Sequence, residues 1–270
     1  MRTIVHISDL HFGSIDPAVL APLAEAVIAA KPHLVVVSGD LTQRARRSQF
    51  KAAAGFLRTL PVPQIIVPGN HDVPLYNVLA RWRTPLANFR RYVTGDLQPS
   101  YRDEEIAVVG VNTARSWSFK EGRINREQVT KACGHLRSSP DRVVRMVVTH
   151  HPFVTPEETN HGIIGRAEMA MTGFSECRLD VILSGHLHVS DTTSSVAQYG
   201  SGRRSIILVQ AGTATSSRRR DEPNAFNVIR TEDRRISVER MAWHAEEGGF
   251  RGAGTQHFVE SPAGWFAADG

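Results

Sequence analysis

Short apolar runs that each end on a cluster of Asp, Asn or His recur along the first 190 residues. Thr3 to Ser8 is β-branched and apolar and stops at Asp9-Leu10-His11. Leu34 to Ser38 runs into Gly39-Asp40, and Gln64 to Val67 into Pro68 and then Gly69-Asn70-His71-Asp72. Val143 to Thr149 delivers His150-His151, and Val181 to Ser184 delivers Gly185-His186-Leu187-His188. Between these strand-like runs lie segments with helical spacing: Pro17 to Ala30, Ser48 to Leu60, Tyr76 to Tyr92, Arg126 to Leu136 and Arg166 to Cys177. Asp16 and Pro17 stand where a helix N-cap and first turn want them, and Pro61 closes the second helix. Glu105 to Val111 is a further strand. Strands that alternate with helices argue for βαβ units and an α/β chain whose sheets are at least partly parallel. The unbroken apolar run of Leu34 to Ser38 suits a strand buried on both faces. In such sheets ligands collect at the carboxyl ends of strands, which is where Asp9, Asp40 and Asn70 stand.

The pattern changes after His188. Thr192 to Val196, Ser205 to Val209, Phe226 to Arg230 and Ile236 to Trp243 read as successive strands, expected to finish a second sheet as an antiparallel meander. Residues 1–243 are expected to form one domain. The Gly-rich tail 244–270, with Phe250, Phe258 and Trp265 scattered through it, is expected to pack on that body, to exchange with a partner chain or to be partly disordered. A dimer contact through this tail is one option, and the oligomeric state stays open.

A 270-residue chain that is 41% hydrophobic and 22% charged fits a soluble globular protein with a sizeable core. Its two cysteines, Cys133 and Cys177, form no CxxC spacing, so neither a disulfide framework nor a thiolate metal site is indicated. Free thiols point to a reducing compartment. His6, Asp9 and His11 interrupt the N-terminal apolar run too early for a signal peptide. No stretch approaches the roughly 18 apolar residues of a membrane span. The expectation is a cytoplasmic protein. The net charge of +5 favours anionic partners, although a surplus carried almost wholly by Arg can follow from genome composition and does not assign nucleic-acid binding.

Asp, Asn and His are metal-ligand types. Asp9 and His11 alternate along what reads as an extended strand end, which turns both to one face. Asp40 follows a glycine that lets the backbone come close, and its carboxylate can bridge two ions. Asn70 offers a neutral amide oxygen that limits the negative charge of the site. His186 and His188 alternate too, but a twisted loop could send them to different ions. Each cluster alone is weak evidence: an Asp-x-His or Gly-Asp pair is commonly a turn, and Asn-His-Asp a capping loop. Their joint occurrence, in order and at strand ends, points to two metal ions with a shared water, a device for hydrolysing phosphate esters.

The succession DxH, GD, GNH[DE], H and GHxH resembles that of the calcineurin-like metallophosphoesterases, over about the first two-thirds of the chain. The resemblance implies a four-layer α/β/β/α sandwich of two mixed sheets with flanking helices. It implies a first metal held by Asp9, His11, Asp40 and His188, and a second held by Asp40, Asn70, His150 and His186. His151 is the runner-up to His150. The resemblance implies iron (Fe2+ or Fe3+), manganese (Mn2+) or zinc (Zn2+), and a mixed oxygen and nitrogen donor set without thiolate permits all three. The implied mechanism is in-line attack by a hydroxide shared between the ions. His71 would serve as general acid or transition-state stabiliser, and Asp72 would orient its imidazole.

The GNHD cluster and the DLHFG opening are most similar to the bacterial branch that contains cyclic-nucleotide and glycerophosphodiester phosphodiesterases. Gly212-Thr213-Ala214-Thr215 through Arg218 and Asn224 resembles a loop of that branch more loosely. The implied substrate is a small phosphodiester, cyclic nucleotides such as cAMP first among them. Arg44, with Arg46 and Arg47, and Arg218, with Arg219 and Arg220, are candidate substrate contacts, against the plainer reading of solvated surface charge. Trp82 and Phe119 are candidates to stack on a base, with packing as the plainer reading. A phosphomonoesterase would share every ligand. A nuclease would need a grip for DNA that is not visible. A lipid-pyrophosphate hydrolase would need an apolar groove and a different residue at position 71. A scaffold that had lost catalysis would have lost ligands, and this chain keeps the full set.

Overall fold

The computed structural model describes residues 1–60, 63–118, 120–155, 162–200, 203–217 and 222–268. The first half runs β1 (Arg2–Ile7), α1 (Pro17–Ala29), β2 (Leu34–Val37), α2 (Arg47–Leu57), β3 (Gln64–Ile66), α3 (Val78–Arg83), α4 (Ala87–Tyr92), β4 (Ser100–Arg102) and β5 (Ile106–Gly110). It continues through α5 (Arg126–Arg137), β6 (Val144–Val148), α6 (Ala167–Glu176), β7 (Val181–Ser184), β8 (Asp191–Ser194), the single turn α7 (Val196–Tyr199) and β9 (Ile207–Gln210). It ends with β10 (Ala225–Glu232), β11 (Arg235–His244), β12 (Gly249–Ser261) and β13 (Gly264–Ala267). Asp16 caps α1 by accepting from Ala18 N, as its sequence suggests. The single helix expected over 76–92 is two short ones, α3 and α4, because Pro85 cannot continue a helical ladder.

Two mixed sheets stack face to face with helices outside, the four-layer arrangement that the resemblance implies. One sheet has the order β13-β12-β11-β10-β1-β2-β3, the other β4-β5-β6-β7-β9-β8. β1, β2 and β3 are parallel, as are β5, β6, β7 and β9. Side-chain alternation sorts the core into three slabs. Val5, Ile7, Val35 and Val37 face α1 and α2. Ala107, Val109 and Val147 face α5 and α6. Ile4, Leu34, Val36, Val108, Met146 and Leu183 fill the space between the sheets. Burial on both faces explains why these strands read as continuous apolar runs.

The C-terminal meander belongs to the other sheet from the one expected. β8 and β9 complete the second sheet, but β10 crosses over and pairs antiparallel with β1, Ile4 opposite Ile229. β11, β12 and β13 then extend the first sheet. Sheet membership is a long-range property that strand periodicity does not carry. Residues 249–267 thus supply two strands, and Trp265 is buried between the sheets, its Nε1 donating to Asp180 Oδ1 at 2.8 Å.

The expectation of free thiols is also corrected. α5 and α6 pack side by side on the second sheet, bringing Cys133 and Cys177 to a Cα–Cα distance of 5.6 Å, and the two form a disulfide. A spacing of 44 residues conceals a pairing made by neighbouring crossover helices. The pairing removes the argument from free thiols to a reducing compartment. Among the described residues no helix is long and apolar enough to cross a membrane.

Candidate metal centre

The strand ends converge on one edge of the sandwich, but not by strand alternation. β1 stops at Ile7, and Asp9 and His11 lie in the left-handed region at φ 53° and 50°. The expected extended end is therefore wrong in mechanism, although both side chains reach the same site. Asp40 (φ 51°), His186 (φ 77°) and His188 (φ 61°) share this conformation. Each such residue costs on the order of 1–3 kcal/mol and persists only where its surroundings over-determine it. Here the loops bind one another: Asp9 N donates to Gly39 O, His11 N to Asp40 O and Gly185 N to His150 O, at 2.9 to 3.1 Å. Thr213 Oγ1 donates to Asp9 O at 2.7 Å and Thr215 Oγ1 to Leu10 O at 2.6 Å. Asn224 Nδ2 in turn donates to Thr213 O and Ser216 O. Gly39 (φ 93°) has no room for a side chain, since a Cβ would fall 2.6 Å from His150 Nδ1.

The donor atoms crowd together. His11 Nε2 and His188 Nε2 are 2.9 Å apart, and Asp9 Oδ1 lies 3.5 and 3.2 Å from them. His186 Nδ1 and His150 Nε2 are 3.2 Å apart, with Asn70 Oδ1 3.1 Å from the latter. One oxygen of Asp40, Oδ2, lies 3.8 Å from His11 Nε2 and 3.4 Å from His150 Nε2. Metal–nitrogen bonds of about 2.1 Å place neighbouring ligand atoms roughly 3.0 to 3.4 Å apart, depending on geometry; most of these spacings lie in or close to that range, and the His11–Asp40 pair, at 3.8 Å, is wider. Asp9 makes the same point by its two oxygens. Oδ2 accepts from Ser8 Oγ at 2.6 Å and His186 N at 2.9 Å. Oδ1 is buried with no well-aligned hydrogen bond among the described residues, as an oxygen meant for a cation would be. Donor chemistry and spacing thus fit two ions sharing Asp40.

Charge supports this. Burial pushes the His186 imidazole down to about 3, so it is neutral with a lone pair to give. Burial works against ionisation of Asp9, but His188 and His11 beside it hold its carboxyl well below the usual range. Burial opposes the charge of His150 also, yet Asp40 alongside raises it to about 9. His150 Nδ1 donates to Ser38 O at 2.7 Å, which fixes the ring and turns Nε2 to the site.

The neighbouring histidines differ. Both ring nitrogens of His151 are engaged, Nδ1 with Thr113 Oγ1 at 2.7 Å and Nε2 with Lys120 O at 3.1 Å, so His151 supports the wall of the site. His71 donates from Nδ1 to Gln43 O at 3.0 Å and from its backbone N to Asp40 Oδ1 at 2.8 Å. Its orienting partner is thus the Gln43 carbonyl, and the expected contact with Asp72 is corrected. The Asp72 carboxylate accepts from Leu41 N, Thr42 N, Thr42 Oγ1 and Gly69 N at 2.9 to 3.1 Å. It clamps the Asp40 loop to the Asn70 loop, because four donors saturate its lone pairs. Arg44 lies over the Tyr76 ring at 5.9 Å and lines a concavity with Asp72 and Pro74. Arg218 lies outside the described residues, as do Phe119, Arg219 and Arg220. Ser8, Ser38, Gln43, Thr213 and Thr215 were not foreseen in these roles. The two threonines stand in the Gly-Thr-Ala-Thr segment, where their spacing of two residues is the one signal that could have pointed to paired hydroxyls.

A fold of two stacked mixed sheets with this donor set defines a metallophosphoesterase. The chain belongs to the calcineurin-like phosphoesterase family, whose model matches residues 2–190. It is similar to a probable glycerophosphodiester phosphodiesterase of Arcobacter nitrofigilis, 25% identical over 172 residues that cover 60% of this chain and 59% of that protein. It is similar also to a probable cyclic nucleotide phosphodiesterase of Synechococcus, 24% identical over 201 residues that cover 69% and 73%. In fold it is similar to purple acid phosphatase PPD1 of yellow lupin, with a TM-score of 0.74 at 14% identity over 97% of this chain and 54% of that one. The chain thus spans about three-fifths of the length of the Arcobacter protein.

Proposed function

We propose that this chain hydrolyses phosphodiesters at a two-metal centre, with cyclic nucleotides as the leading substrate class. The observation that carries the reading is Asp40 Oδ2, which faces both imidazole clusters from one point. Asp9, His11, Asp40 and His188 would hold one ion, and Asp40, Asn70, His150 and His186 the other. Manganese, iron or zinc, when bound, would supply an activated water and offset the charge of the phosphorane-like transition state.

The remaining roles fall to side chains. With Nδ1 donating to Gln43 O, His71 presents Nε2 as the atom that carries a proton to the departing alkoxide. Asp72 acts at one remove, holding the Asp40 and Asn70 loops in register. Arg44, which follows the Gln43 that holds His71, would meet a substrate phosphate or base. The Arcobacter and Synechococcus relatives are both phosphodiesterases by name, which favours a diester over a monoester.

The test is hydrolysis by manganese-reconstituted protein of bis-p-nitrophenyl phosphate beside p-nitrophenyl phosphate, with 2′,3′- and 3′,5′-cAMP in parallel. Preference for the diester and turnover of a cyclic nucleotide are expected. Preference for the monoester would make the protein a phosphatase and sink the cyclic-nucleotide reading.

A further inference from the structure

Helix α3 is built inside out. Arg81 is 4% exposed, while Val78, Leu79 and Trp82 beside it, with Tyr76 before it and Trp117 across from it, are 53% to 76% exposed. A surface helix normally does the reverse. The inversion is held firmly. Arg81 donates from Nε to Ser116 O at 2.6 Å, from Nη1 to Pro74 O at 2.9 Å and from Nη2 to Ser118 O at 2.6 Å. The guanidinium therefore pins two loops together and faces the apolar side of the helix outward. Trp82 and Trp117 then meet edge to face, ring centroids 3.9 Å apart, as one projecting aromatic pair.

This patch adjoins two residues that support the metal centre, Asp72 and His151. The chain reaches it directly from Asp72 through Pro74. On its other side Gly122 packs so closely on His151 that a Cβ would fall 2.1 Å from Nδ1. Arginines border it on both sides. Arg44, Arg46 and Arg47 line the concavity that holds Tyr76. Arg115, Arg123 and Arg166 line the one that holds Trp117. Among the described residues lining these two concavities, Glu121 and the buried Asp72 are the only acids.

We infer that α3 and Trp117 form a docking surface for an anionic lipid bilayer. Projecting Trp and Leu side chains ringed by cations are the signature of an interfacial contact with acidic headgroups. Charge decides against a second copy of this chain as the occupant. A twofold contact apposes the same patch on both subunits, which would press two arginine rims together. Docking does not depend on the reaction. Only the consequence, that docking would bring a phosphodiester hydrolase to a surface built of phosphodiesters, rests on the function proposed above.

The test is co-sedimentation of the metal-loaded full chain with vesicles of equal parts phosphatidylglycerol and phosphatidylcholine, against pure phosphatidylcholine. Wild type is expected to favour the anionic vesicles by about tenfold or more, and to lose that preference in high salt. Val78→Glu with Leu79→Glu is expected to lower binding by about tenfold or more, while hydrolysis of bis-p-nitrophenyl phosphate is unchanged. Trp117→Ser gives a milder version should the double variant fold poorly. Wild type that ignores anionic vesicles, or variants that bind them equally well, would overturn the proposal. So would a wild-type dimer in sedimentation velocity that Leu79→Glu dissociates without any vesicle effect. Partition is read without hydrolysis, so failure of docking and failure of the phosphodiesterase reading are separately visible.

Discussion

The two sheets bring different chemistry to the same edge. The ends of β1, β2 and β3 supply Asp9, His11, Asp40 and Asn70, which include every carboxylate and the amide of the candidate centre. The ends of β6 and β7 supply His150, His186 and His188, imidazoles alone. The close approaches run across the gap: His188 Nε2 to Asp9 Oδ1 at 3.2 Å, and His150 Nε2 to Asp40 Oδ2 at 3.4 Å. One sheet carries the negative charge and the other mostly neutral donors, so neither can hold a cation pair alone. Metal binding in such a centre also fastens one sheet to the other, and stability and activity should fail together when the shared ligand is lost.

The strongest way to break this picture is Asp40→Ala. It removes the oxygen that both clusters face, and both ions should go, with turnover falling by at least about a thousandfold. Elemental analysis that still finds two ions would end the bridging assignment. His71→Ala sharpens the comparison by sparing it. His71 stands on the first sheet's loop, but its imidazole is assigned to proton delivery, so metal content should be unchanged while turnover falls by about 10²–10³-fold. Full turnover of bis-p-nitrophenyl phosphate by this variant would remove His71 from the chemistry.

Metal removal tests the fastening directly. Ions bound only by the folded chain at saturating concentration stabilise it by roughly 3–4 kcal/mol, which at this chain length is a Tm shift of about 5–15 °C. Without ions, His150 pairs with Asp40 as an imidazolium, its pKa raised to about 9. The unfolded value is about 6.5. A raised folded pKa gives stability that is complete below about 6.5 and is lost as pH rises through about 9. The chelated protein should therefore lose Tm steadily across that window, and reloading at pH 7 should release a proton. Calorimetry in buffers of different ionisation enthalpy reads that proton. A chelated Tm that is flat from pH 6.5 to 9 would show that the two sheets are not joined through His150.

The candidate set could be picked out because Asp, Asn and His cluster after five successive strand-like runs, and because βα alternation sends strand ends to one edge. The backbone that presents those ligands was not legible. Left-handed φ at Asp9, His11, Asp40, His186 and His188 follows from loops bonding to loops far away in sequence, which no local pattern records. Asp72 shows the same limit. Its place beside His71 suggested a partner for the imidazole, whereas its lone pairs go to Leu41, Thr42 and Gly69. The disulfide between Cys133 and Cys177, and the return of β10 to β1, depend on which helices and strands become neighbours. The inversion of α3 depends on three carbonyls, of Pro74, Ser116 and Ser118, gathering around one guanidinium.

The smallest expected effect lies behind the ligands, at Thr215. Its hydroxyl donates to Leu10 O at 2.6 Å, within the one segment of the first sheet that carries both Asp9 and His11. Thr215→Val keeps the shape and leaves a buried carbonyl without that donor, at a cost of about 1–3 kcal/mol. This hydroxyl thus supports the loop that carries two of the first ion's ligands. Affinity for one ion should therefore fall by about tenfold, as it does when supporting contacts of a metal site are removed, and affinity for the other should hold. Stepwise metal titration separates the two. Equal weakening of both ions would mean that the β1 loop does not serve one site alone, and that Asp40 transmits the disturbance from the first cluster to the second.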